Sequence, residues 1–192
     1  MLAPHTGSAY TQLHIRIRFF RNPEVPMRTL FFLSLLMLCL TVTAQAEPRS
    51  FTLFSADLPQ GWDGEENMGF KSGNPDECML ILGLSNEKKD DYAALISIFV
   101  LPNTQKDDSA SIANKLATLQ ANASQPRPQG PFWTFNGELR SQAFPAPGVT
   151  KVNATADKVL IAIVQDPDQR GAEAIFASLK GLTPETRKLL GQ

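Results

Sequence analysis

The sequence predicts an α+β fold: an antiparallel β-sheet of about six to seven strands with two helices packed mainly on one face. Three observations predict it. Short apolar runs punctuated by Pro and Gly dominate the chain beyond residue 47. Only two segments, near 107–122 and 171–182, space their apolar residues as a helix does. The resulting order, β-β-β-β-α-β-β-β-α, joins neighbouring strands by hairpin-length connections and leaves few helices to cover them.

The elements follow in order. Residues 50–54 (SFTLF) alternate as a strand, and Leu58-Pro59-Gln60-Gly61-Trp62 ends it, with a fixed φ at Pro and a free one at Gly. A short second strand is expected at 68–71, ahead of the Gly73-Asn74-Pro75-Asp76 turn. Residues 78–84 (CMLILGL) are apolar on both faces, as in a central covered strand. Residues 85–92 form a charged turn, and 94–101 (ALISIFVL) are rich in β-branched residues and stop at Pro102. The period then changes: Ile112, Leu116 and Leu119 fall at i, i+4 and i+7, and Asp108 or Ser109 can cap the helix start. A loop holding Pro126 and Pro128 leads to a strand at 132–139. Further strands are expected at 142–144 and 149–155 around Pro145-Ala146-Pro147-Gly148, then a buried one at 159–165 stopped by Asp166-Pro167. Residues 171–182 read as the second helix, and Thr183-Pro184 restarts a short terminal helical turn.

Ahead of this region the chain carries an export signal. Residues 30–42 (LFFLSLLMLCLTV) are apolar except for Ser34 and Thr41, follow Met27-Arg28, and precede Thr43-Ala44-Gln45-Ala46. A positive start, an apolar core and small residues at −3 and −1 are the parts of a secretory signal, with cleavage expected after Ala46. The run is shorter than the ~20 apolar residues a membrane span needs, so no stable transmembrane anchor is expected after cleavage. Residues 1–26 read as an extension upstream of the true start, 27–46 as the signal peptide and 47–192 as one globular domain. The expected location is periplasmic or secreted.

Removing the signal alters the chemistry. The whole chain holds 18 basic and 19 acidic residues, two His and two Cys. Residues 1–46 contain Arg16, Arg18, Arg21, Arg28 and Glu24, both histidines (His5, His14) and Cys39. The remaining 146 residues carry 14 basic and 18 acidic side chains, no His, and Cys78 alone. That composition excludes a Ser-His-Asp or Cys-His nucleophile, a histidine metal site and an internal disulfide in the mature chain. The lack of basic excess argues against nucleic acid or anionic membrane as partner.

The Leu58-Pro59-x-Gly61-Trp62 corner, set in a meander–helix–meander–helix order over residues 50–182, resembles the PsbP-like fold group, which includes DcrB-like periplasmic proteins. The resemblance implies a small non-catalytic module that binds a partner or supports an assembly. It carries over no catalytic residues, and a chain without His departs from any metal role among the photosynthetic members.

The candidate partner-binding surface comprises Trp62, Trp133 and Phe135. On a strand Trp133 and Phe135 point together and Phe132 oppositely, so a sheet covered on one face would turn one set outward. The alternative is that all are core or loop-covered. Cys78, beside Glu77, reads as a structural, partly buried thiol, with pairing between chains as the alternative. Asp63, Glu65 and Glu66, Asp76-Glu77, and Asp166 with Asp168 read as solvated turns and helix-start charges. They lack the spacing of a twelve-residue calcium loop. No cofactor or metal site and no catalytic residue is assigned.

The expected function is therefore a secreted, periplasmic, non-enzymatic binding or accessory module whose partner is another periplasmic protein or envelope component. The alternatives are a small hydrolase using Asp63, Glu65, Glu66, Asp76 or Asp166 around Trp62, and a periplasmic immunity or inhibitor protein. An enzyme would gather two of those acids in a concave pocket. A binding module would present an apolar patch or groove containing Trp62 or Trp133.

Overall fold

The computed structural model describes residues 46–139 and 146–192. The upstream extension, the signal segment up to its last residue and the strand expected at 142–144 lie outside the described residues.

Two antiparallel sheets stack in the domain. The smaller contains β1 (Glu47–Ser50), β2 (Phe54–Leu58) and β10 (Lys180–Gly181), in the order β1-β2-β10. The larger contains β3 (Trp62–Met68), β4 (Cys78–Ser85), β5 (Tyr92–Pro102), β6 (Arg127–Gln129), β7 (Phe132–Glu138), β8 (Pro147–Ala154) and β9 (Lys158–Gln165), in the order β3-β4-β5-β9-β8-β7-β6. Three helices complete it: α1 (Ser109–Ala117), α2 (Ala172–Ser178) and α3 (Pro184–Leu190). The class is α+β with a seven-stranded antiparallel sheet. None of these helices is long and apolar enough to cross a membrane.

Register shows which residues share a face. The cross-strand row Leu80–Ile98–Ala162 lies on one face, and Phe99–Ile161–Val152–Trp133 on the other. The first face carries the main core: Leu80, Leu82, Ile96, Ile98, Leu160 and Ala162, covered by the small sheet, α2 and α3. The second face carries a smaller cluster in which Phe135, Val152 and Val159 pack against Ala113, Ile112 and Leu116 of α1. Two of the three helices, α2 and α3, thus cover the first face and α1 covers the second, where two helices mainly on one face were expected. The reason is written in the strands: β9 is buried at successive positions, so apolar side chains leave it on both sides and both need cover.

Element boundaries also differ from expectation. The segment expected as a strand at 50–54 is instead the turn of a hairpin between β1 and β2, closed by the Phe51 N–H donating to the Phe54 carbonyl at 2.8 Å. The second strand starts at Trp62 rather than at 68, because WDGEENM is a polar edge strand whose pairing is set by the apolar β4 beside it. The helix expected over 171–182 ends at Ser178, and Leu182 instead donates its N–H to the Leu53 carbonyl at 3.0 Å. The terminal turn is a full helix, α3, started by a capping box between Thr183 and Thr186 with Pro at its first position.

The link between β3 and β4 is held from inside by a carboxylate. Glu77, 5% exposed, accepts from the Ser72 hydroxyl at 2.9 Å and from the Ser72 and Lys71 N–H groups at 2.8 and 3.2 Å. Burial pushes its pKa up, but the Ser72 hydroxyl and these amides together outweigh burial and leave it below the usual value. A depressed folded pKa contributes stability above the unfolded value, ~4.3, and loses it as pH falls through the folded one. Glu77→Gln is therefore expected to unfold at lower temperature than wild type at pH 7. The two melting curves should converge as pH is lowered through the carboxylate range, a comparison that thermal unfolding at several pH values makes directly.

Candidate functional site

The three aromatic residues singled out in the sequence are not one surface. The Pro59–Gly61 turn, closed by the Trp62 N–H donating to the Pro59 carbonyl at 3.1 Å, delivers Trp62 into the main core at 8% exposure. Phe135, 3% exposed, belongs to the second cluster with α1, and half-buried Trp133 packs against that cluster. Phe132 points to the first face and meets Phe176 edge-on at 5.6 Å. Trp133 and Phe135 do share a face, as strand geometry requires. That face is the one α1 covers: Phe135 is core there, and Trp133 packs partly buried against it.

The acidic residues are also accounted for one by one. Asp63 and Glu65 sit on edge strand β3, not in a loop. Asp63 pairs with Arg49, whose guanidinium, together with the Gly64 amide, holds its carboxyl below the usual range. Glu66 accepts from the Thr52 N–H at 2.8 Å and ties the first hairpin to β3. Asp76 pairs with Lys158 at 3.2 Å. Asp166 caps the start of α2: one oxygen accepts from the Arg170 N–H at 2.6 Å, and the other from the Gly171 and Ala172 N–H groups at 3.0 and 2.9 Å. Asp63, Glu66, Asp76 and Asp166 hold separate joints, and among the described residues no three His, Cys, Asp or Glu side chains gather as a metal site. Cys78 is fully buried on β4, with its Sγ 3.5 Å from Glu66 Oε1. Burial first, and the Glu66 carboxylate second, push its thiol up to about 12.

The concave feature of chemical interest lies elsewhere, on the first face beyond the reach of the main core. A groove of about 490 Å³ is lined by Arg127 and Gln129 of β6, Thr134 and Asn136 of β7, Lys151 of β8 and Glu173 of α2. Ser124 and Gln125, in the loop before β6, also line it. Its floor is a cross-strand row: Arg127 pairs with Thr134, and Thr134 with Lys151, so all three side chains leave the same face. Strand spacing puts the backbones of Arg127 and Lys151 about 9–10 Å apart.

Local sequence explains why the groove is open there. β6 is three residues, RPQ, and Pro128 lacks the N–H that longer pairing would need. The loop before it fills in for a strand: the Ser124 N–H donates to the Asn136 carbonyl at 2.8 Å, and the Asn136 N–H to the Ser124 hydroxyl at 3.0 Å. Lys151 is held at 12% side-chain exposure, its Nζ 3.0 Å from Glu173 Oε2 and 5.1 Å from the centroid of Phe176. Arg127 is exposed, and among the described residues its guanidinium has no hydrogen-bond or ion-pair partner. The sequence reading missed this site because it treated 126–128 as a loop. The available signal was Lys151 on the face it shares with Val149 within the strand expected at 149–155, where a charge beside an apolar neighbour needs a partner from another element.

No protein-family model matches the chain, and no curated protein is significantly similar to it. Solved structures similar to it include a protein from Bacteroides thetaiotaomicron, at 12% identity and TM-score 0.40, over 69% of this chain and 46% of that one. The chain thus spans under half the length of that protein. They also include cyanobacterial PsbP (CyanoP) from Synechocystis, of the group the sequence resembles, at 12% identity and TM-score 0.41 over 74% of this chain and 95% of that one.

Proposed function

We propose that the chain is an exported, non-enzymatic binding module of the bacterial envelope that engages another envelope component through the β6–β7–β8 groove. The observation that carries this reading is the groove itself. It is concave, its side chains converge from four separate elements, and its volume of about 490 Å³ falls within the ~300–1,000 Å³ of ordinary ligand sites. The engagement of Asp63, Glu66, Asp76 and Asp166 in separate structural joints supports binding over carboxylate hydrolysis. The 27–46 signal pattern supports the location.

The test is affinity capture of the full chain, tagged at its C-terminus, from fractionated bacteria, alongside Thr134→Trp, which fills the groove floor. The expected result is recovery from the periplasmic fraction with one envelope component, at least tenfold depleted in the variant. Retention of the chain in the cytoplasm, or capture indifferent to Thr134→Trp, would overturn the reading.

A further inference from the structure

We infer that the groove takes an anionic, hydroxyl-bearing ligand of the sugar-acid class, with Arg127 as its anion contact and Glu173 as a built-in competitor for Lys151. The inference deepens the groove-binding reading above and rests on it.

The charge pattern carries the argument. Two cations and one acid line the groove, so it holds a net positive charge inside a domain that is acidic beyond residue 46. The two cations are not equivalent. Lys151 is nearly buried and already engaged by Glu173 and the Phe176 ring. Arg127, one strand spacing beyond Thr134 in the same row, presents a guanidinium without a partner among the described residues. A guanidinium offers a planar fork of donors that fits a carboxylate or phosphate two oxygens at a time.

The rest of the lining selects hydroxyls. Ser124, Gln125, Gln129, Thr134 and Asn136 supply hydroxyl and amide groups, each able to both donate and accept as a sugar hydroxyl does. Thr134 Oγ1, on the floor, lies 3.2 Å from Gln129 Oε1, which orients this pair in advance. A simple inorganic anion would use the cations and leave the amides idle, and a neutral sugar would leave Arg127 unmatched. A hydroxylated acid uses both.

Glu173 sets the sign of a distinctive effect. Its side chain is 55% exposed, and Gln in its place keeps an oxygen that can accept from Lys151 while removing the charge. Its carboxylate faces the same cation that the ligand's charge would reach. Removing it leaves Lys151 free for the ligand and removes a like charge from the wall.

The experiment is titration calorimetry of the full chain with glucuronate, with glucose as the uncharged control and oligoglucuronate as the polymeric form. Glucuronate is expected to bind, glucose at least tenfold more weakly, and binding should weaken with added salt. Arg127→Ala is expected to lower affinity roughly tenfold or more, and Glu173→Gln to raise it several-fold. Tighter binding of oligoglucuronate assigns the chemistry to an envelope polysaccharide, and equal binding to a free sugar acid. Equal affinity for glucose, no binding of either acid, or affinity unmoved by both substitutions would overturn the inference. If capture of an envelope component still depends on the groove while no acid binds, this inference fails and the binding-module reading stands.

Discussion

Phe54→Ala is expected to lower the unfolding free energy by about 3–5 kcal/mol, read from urea or guanidinium denaturation of the full chain. Phe54 is fully buried and is among the largest side chains in the main core. It sits on β2, the central strand of the small sheet, and packs with β3, β4, β5 and the C-terminal helices in one cluster. Truncation loses the transfer energy of the ring and leaves a cavity. The walls cannot close it readily, because β2 is pinned by β1 on one side and β10 on the other. Leu119→Ala, at a site 66% exposed, is the matched control and is expected to stay within about 0.5 kcal/mol. Equal effects at the two positions would mean that the small sheet is not part of the cooperative core.

Gly181→Ala is expected to cost about 2–3 kcal/mol, a large effect for a single methyl group. The backbone of Gly181 does not have a positive φ, so conformational freedom is not the reason for glycine here. The reason is space. A Cβ on Gly181 would lie 2.4 Å from the Arg187 nitrogen and 2.6 Å from the Thr186 carbonyl carbon, both backbone atoms of the first turns of α3. Neither can swing aside as a side chain could. The position is also clamped: Arg187 Nε donates to the Gly181 carbonyl at 3.0 Å, and the Gly181 N–H donates to Gln192 Oε1 at 3.1 Å. Relief must come from moving β10 away from β2 or α3 away from β10. Gly130→Ala is the informative comparison: φ there is +58° and nothing lies within 4 Å of the added atom, so only the conformational cost of about 1 kcal/mol is expected. Thermal or denaturant unfolding should therefore rank Gly181→Ala well above Gly130→Ala. The reverse order would mean that α3 docks more loosely than its hydrogen bonds indicate.

Much of the fold is legible in the residues taken alone. The central strands β4, β5 and β9 are visible as apolar runs bounded by turns, and α1 as an apolar stripe with Asp108 as its cap, whose side chain accepts from the Ser111 N–H at 2.7 Å. Polar edge strands were not visible. β3 and β6 carry no apolar run of their own and become strands only because β4 and β7 offer them a free edge. Helix ends were misjudged for a related reason. Gly181 lies near the end of the helix expected over 171–182, yet it is a point of close approach between two backbones.

The candidate site divides the same way. Trp62, Trp133 and Phe135 stand out in the sequence because they are large; the fold buries Trp62 and Phe135 and packs Trp133, partly buried, against the second cluster. The groove is built from residues that attract little notice singly: Arg127, Thr134, Lys151 and Glu173.

The sequence by itself determined the α+β class, the apolar runs of the central strands β4, β5 and β9 and the absence of histidine from the chain beyond residue 46. These are local or compositional properties, carried by a period of two or 3.6 residues or by a count. Tertiary structure alone decided which face each helix covers and which side chains meet across strands. Those depend on strand order and register, and the order β9-β8-β7-β6 sets Arg127, Thr134 and Lys151 side by side from three separate strands. Pairing of backbones, rather than proximity along the chain, makes them a site.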